Sequence, residues 1–300
     1  MSLDWQTLLV AFAGGSFGAA LGGVPVFVIT GLLVLVGVGV MAATGDSSMV
    51  AKVAFGPFFG PHVTFGGAVA AAAYAARKGL LPTGRDIGSA LMGLNDPRVL
   101  AVGGLFGALG SLVNEFLARI GGGAWTDTIA LAVLISAFLA RVLFGKTSWI
   151  GIVTSGESRF EPGEGANWLT WQQKWPQVAL IGAVVGAFSG HLTVILGMAK
   201  GGNLIAFGIS ITTLAFLLMG NRIPVTHHIS ITAAAAASFG AGLPACALVG
   251  AVASLLAEAF SRTFLIWGDT HIDPPAGAIV ITVTALRVAD ALGAFPAHLP

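Results

Sequence analysis

Of 300 residues, 56% are hydrophobic, 9% are charged and 43 are glycine, and the formal net charge is +1. A soluble domain carries about 25% charged residues, so this chain cannot cover a globular surface with polar groups and reads as an integral membrane protein. The small net charge excludes a strongly basic nucleic-acid surface as the main activity, and a single cysteine, Cys246, excludes a disulfide framework or a cysteine metal cluster.

The N-terminal Met1-Ser2-Leu3-Asp4-Trp5-Gln6 has no basic n-region, so the first apolar run is expected to be a permanent span. The apolar runs are continuous and of about 17–25 residues, which predicts spanning helices and not barrel strands. Segment A covers Leu8 to Leu21, with Gly14, Gly18 and Gly22 on one face as a stripe for close helix packing. Segment B covers Val26 to Met41. Segment C opens on the stretch Phe55 to Phe65, where Pro57 and Pro61 each remove an amide donor and disfavour helix before them, and Gly56 and Gly60 loosen the remainder. Regular helix is expected there only from about His62, ending at Arg77-Lys78. Segment D runs from Val99 to Ile120 and segment E from Thr126 to Phe144.

Between Gly145 and Pro176 the composition changes. Glu157, Arg159, Glu161 and Glu164 mark a solvated linker, and Trp168, Trp171 and Trp175 predict a short interfacial helix with its rings at headgroup level. The same order of segments then recurs: A′ from Val178 to Leu196, B′ from Leu204 to Met219, C′ from Pro224, D′ from Ala245 to Phe264 and E′ from Pro274 to Leu292.

The recurrence extends to individual residues. Gly14, Gly18 and Gly22 fall on Gly182, Gly186 and Gly190 at an offset of 168, and His62 and Thr64 fall on His228 and Ser230 at 166. Ser111, Glu115 and Arg119 fall on Ser254, Glu258 and Arg262 at 143, and Asp127, Ala130 and Arg141 on Asp273, Ala276 and Arg287 at 146. In a chain with few charges this predicts an internal duplication. The expected fold is an all-α polytopic membrane protein of two five-segment repeats, about ten membrane segments, inverted, with a broken helix at the third segment of each. Its parts are residues 1–145, a linker 146–175 and residues 176–300. Lysine and arginine concentrate on the side of the linker and of the C–D loop, the expected cytoplasmic side. A rival topology makes C and C′ re-entrant and the repeats parallel.

A broken helix at membrane depth persists only against protein or a water-filled cavity, and in inverted-repeat transporters such breaks meet near the midplane at the substrate. The expected binding or pore residues are therefore His62, Thr64, His227, His228 and Ser230 with Phe58 and Phe59, and the phenylalanines Phe55, Phe58, Phe59 and Phe65 read as a hydrophobic constriction or equally as core filling. Glu115–Arg119 and Glu258–Arg262 are i,i+4 pairs that fasten helix ends or act in gating or ion coupling. Asp127 and Asp273 read as helix N-caps, Arg141 and Arg287 as snorkelling or helix-dipole partners, and Asp269, His271 and Asp273 as a weak metal signal. No cofactor, metal centre or nucleophile motif is expected. The leading expectation is a transporter or channel for a small polar or weakly charged solute in the inner membrane, multi-pass, in contact with the lipid bilayer and able to form a homo-oligomer. The alternatives are a structural assembly protein, whose small-residue stripes would face outward onto partners, and an intramembrane enzyme using histidine as acid or base.

Overall fold

The computed structural model describes residues 4–154, 156–163, 168–295 and 298–299. Glu164 of the linker and Met1 to Leu3 lie outside these. Eleven helices and no strands are found among the described residues: α1 Trp5–Leu21, α2 Gly23–Thr44, α3 Thr64–Arg77, α4 Pro97–Arg119, α5 Thr128–Phe144, α6 Trp175–Leu196, α7 Gly202–Thr212, α8 Leu214–Leu218, α9 His227–Ser238, α10 Leu243–Phe260 and α11 Pro274–Ala291. Four of them, α2, α4, α6 and α10 with its continuation to Leu265, are long and apolar enough to cross a membrane.

Local chemistry sets the helix ends. Asp4, Asp96, Asp127 and Asp273 each accept a hydrogen bond from a first-turn amide of the helix they precede, which fills a donor the helix cannot satisfy itself. Gly22, at φ +94°, separates α1 from α2 by one residue, and an added Cβ there would also meet the Ser89 carbonyl. The lead-in to α3 winds through a π-helical turn, Met49–Ala54, and then through turns up to Thr64. Segment B′ is not one helix. Thr212 and Thr213 bond back to the carbonyls of Gly208 and Ser210, both at 2.8 Å, and the chain breaks between α7 and α8.

The glycine stripes face inward. A Cβ on Gly15 would lie 2.2 Å from the Gly103 carbonyl, one on Gly18 2.2 Å from that of Thr64, and one on Gly186 2.5 Å from that of Cys246. Small residues thus let α1 seat against α3 and α4, and α6 against α10. Gly15 opposes Gly103 and Gly107 while Ala11 reaches Gly107 and Ala19 reaches Gly103, so α1 and α4 are antiparallel. By the same reading Gly182 meets Gly250 and Gly190 meets Cys246, so α6 and α10 are antiparallel.

Two contacts join the ends of the chain's two parts. In one, α2 packs on α7, with Gly31 against Ile211, Leu35 against Gly208 and Val38 against Gly201. In the other, α5 packs on α11: Thr284 donates to Thr126 at 2.9 Å near the start of α5, while Arg141 near its end donates to Thr270 just before α11. Both pairs run antiparallel.

The linker differs from expectation. Trp168, Trp171 and Gln172 lie in turns and bends and not in an interfacial helix, and the polar atoms of the last two have partners inside: Trp171 Nε1 donates to the Ile223 carbonyl at 2.8 Å, and the Gln172 amide exchanges two bonds with the backbone of Val225 at 3.1 and 2.8 Å. Arg141 is no snorkelling residue either. It is 1% exposed and donates to Thr270, Trp149 and Phe264, tying the end of α5 to both the linker and the approach to α11.

Candidate functional site

The broken third segment positions the site. His62 and Gly66 lie level with the middle of the neighbouring helices: the His62 carbonyl presses on Gly110 of α4, and Gly66 approaches Ser136 of α5. Thr64 opens α3 there, and with Thr30 of α2 it hydrogen-bonds the Phe59 carbonyl, at 3.4 and 3.0 Å, which satisfies backbone that the helix leaves free. On α9, Ser230 donates to the His227 carbonyl at 3.0 Å, and Ser189 of α6 donates to the Ser230 carbonyl at 2.6 Å. Both hydroxyls therefore support the backbone at the break.

Between the two broken segments lies a central cavity of about 210 Å³. Part of its wall is built from positions that match at the sequence offsets: Pro61 and Phe65 opposite His227 and Ile231, and Asp127, Ala130 and Val133 opposite Asp273, Ala276 and Ile279. Phe27 of α2 and Phe207 of α7 close the remaining sides, their rings 6.5 Å apart. At one end it shares Val24, Ile87, Trp168 and Leu217 with a cavity of about 610 Å³ beneath the C–D loop, which also contains Arg85, Asp86 and His271. At the other it shares Asp127 and Ile231 with a cavity of about 390 Å³ that contains Asn203, Ser238, Arg287 and His298.

The central chamber is apolar except for three groups. His227 is 6% exposed, its ring lies 5.1 Å from Phe27 and 6.3 Å from Phe207, and its Nδ1 has no hydrogen-bond partner among the described residues. Asp127 and Asp273 cap α5 and α11 through Ala130 and Ala276, both at 2.8 Å, and Asp273 also meets His271 Nε2 at 3.1 Å. A chamber of this kind holds a small molecule by apolar fit and fixes it with a few polar contacts.

Of the residues expected at the site, only His227 lines this chamber. Phe58 and Phe59 pack instead on Phe17 of α1, at 5.6 and 6.3 Å, and of the four candidate phenylalanines Phe55 and Phe65 line the chamber. His228 lies against α10 and the linker, beside Glu258. Glu258–Arg262 is a buried ion pair at 2.7 Å, with the side chains 4% and 7% exposed, whereas Glu115–Arg119, at 3.0 Å, is 24% and 58% exposed. Arg287 stands 5.3 Å over the Phe239 ring in the outer cavity. The run Asp269, His271, Asp273 does not converge: Asp269 accepts from the Lys146 amide and the Thr147 hydroxyl, and among the described residues no acidic, histidine or cysteine cluster is arranged to hold a metal. Sequence reasoning missed Phe27, Phe207 and Trp168. A signal existed for the first two, since each is the sole aromatic residue of its helix.

A family described as being of unknown function, DUF7973, matches residues 1–164 and, a second time, residues 155–299. No curated protein and no solved structure matches the chain.

Proposed function

The chain belongs to the DUF7973 family, and we propose that it is a multi-pass inner-membrane transporter or channel for small polar or weakly charged solutes, which pass along the seam between two inverted five-segment halves. The halves are residues 1–145 and 176–300, joined by the linker 146–175. The observation that carries this reading is the chamber between the broken segments, walled in part by matching residues from both halves and sharing lining residues with two larger cavities.

Several further observations support it. The one family matches each half of the chain in turn. The helices that correspond between halves and touch, α2 with α7 and α5 with α11, are antiparallel, which inverted repeats require and parallel repeats forbid. The antiparallel packing of α1 on α4 suits ten alternating crossings, because a re-entrant third segment would leave those two helices parallel. The assembly reading needs small-residue stripes turned outward, and here Gly15, Gly18 and Gly186 are spent on packing inside the molecule. Within the chamber His227 supplies the hydrogen bond that orients a solute, and the aromatic rings set its width.

The test is stopped-flow swelling of proteoliposomes in gradients of urea, glycerol and ammonium acetate. Flux of at least one solute above that of empty liposomes is expected, lost in A276W, which plugs the chamber, and reduced in H227A. Flux equal to empty liposomes for all solutes, or flux untouched by A276W in a folded protein, contradicts the reading.

A further inference from the structure

A second buried polar cluster lies apart from the chamber, where α9, α10 and the linker meet. A cavity of about 10 Å³ there is walled by His228, Ser254 and Glu258, which is room for one water molecule and nothing larger. Among the described residues, His228, 1% exposed, has no hydrogen-bond partner for either ring nitrogen, and Ser254, also 1% exposed, has none for its Oγ. Buried polar atoms left unpaired are destabilising, so the wall calls for a species that can donate and accept at once. Glu258, 5% exposed, accepts from Arg262 Nε through Oε1 at 2.7 Å. The other Arg262 donors already serve the carbonyls of Phe160 and of Gln173, the latter at 2.8 Å, and the guanidinium lies 4.4 Å over the Trp175 ring. The remaining titratable neighbour is His227, whose ring is 5.8 Å from that of His228. From α6 and the linker the wall receives Val178, Trp168, Leu169 and Gln172, none of which ionises.

We propose that His228, Ser254 and Glu258 enclose one water and together form a proton-binding site. In the state described here Arg262 neutralises the carboxylate. On proton uptake a hydronium ion from bulk water gives up its proton through the enclosed water, an O–H bond forms at Glu258, and Arg262 moves its Nε off the carboxylate onto the linker carbonyls and the Trp175 face that it already touches. Protonation takes the pair from net neutral to net +1, and that charge stays on the Arg262 guanidinium, held by the carbonyls of Phe160 and Gln173 and by the Trp175 ring. The same residue types recur in the first half as His62, Ser111 and Glu115, but there the Glu115–Arg119 pair stands open, so that half serves as an internal control. Only the use of the proton, as the coupling ion, rests on the transport reading above.

The experiment is an infrared pH titration of the full chain in nanodiscs, with no solute present, in H₂O and in D₂O. A protonated-carboxyl band that titrates and shifts in D₂O is expected. It should be lost in E258Q, restored in E258D and retained in E115Q, with its midpoint moved by about one pH unit, tenfold in proton affinity, in H228Q. A band absent from the wild-type protein, unaltered in E258Q, or unmoved in H228Q overturns the site. Because the titration uses no solute, a band without flux would sink only the transport reading, and flux without a band only this site.

Discussion

The two glutamate–arginine pairs have the same residues at the same spacing on matching helices, yet one is solvated and the other sealed. Glu115–Arg119 ends α4 with little over it, while Glu258–Arg262 is covered by the linker, which gives Arg262 two backbone carbonyls and a tryptophan face. The arginines of the last segments divide likewise: Arg141 is buried under the linker, and Arg287 stands in an outer cavity over a phenylalanine ring. Identical local chemistry therefore takes its energetics from what the chain lays over it. Exposed pairs are worth little in water, but removing one member of a buried pair strands its partner.

The sharpest way to break this comparison is at Arg141. R141M strips the donors from Thr270, Trp149 and Phe264 in a dry site and is expected to destabilise by about 4 kcal/mol, whereas R287M costs about 1 kcal/mol, the scale of a cation–π contact. Unfolding in mixed micelles measures both, and equal effects would show that the linker seals nothing. Next come the glutamates: E258A should cost about 3 kcal/mol and E115A about 0.5 kcal/mol. A ratio near one would remove the distinction between sealed and open ends.

The smallest effect concerns Asp269, in the loop before α11. Burial pushes its carboxyl up, but bonds from the Lys146 amide and the Thr147 hydroxyl, together with the charge of Arg141, outweigh that and hold it below the usual carboxylate range. A carboxyl depressed in the folded state contributes stability above its unfolded value of about 3.9, and that stability is lost as pH falls through the folded value. The wild type should therefore lose melting temperature below about pH 4 more steeply than D269N, and parallel curves would remove Asp269 as the source.

Much of this architecture was legible in the sequence, because the elements that carry it are local. Apolar run lengths give the segment order, Pro57 and Pro61 give the break before α3, and the aspartate caps at α5 and α11 follow from the residues that precede them. What was not legible depends on direction and neighbours. His227 and His228 are adjacent on one helix turn, so which of them meets the chamber is decided by the seating of α9 against α7 and α10. The inward turn of Trp171 depends on a carbonyl, that of Ile223, 52 residues away, and the break at Thr213 on a hydroxyl-to-carbonyl bond that apolar periodicity does not reveal.

The central claim is that a continuous passage separates the two halves, and cysteine labelling tests it without knowledge of any solute. With Cys246 replaced by serine, A130C and A276C in the chamber are treated with a small, water-soluble, membrane-impermeant thiol reagent, beside A253C, whose position is fully buried in α10. Reaction at both chamber positions with A253C inert is the predicted result. Chamber cysteines as unreactive as A253C would contradict the account.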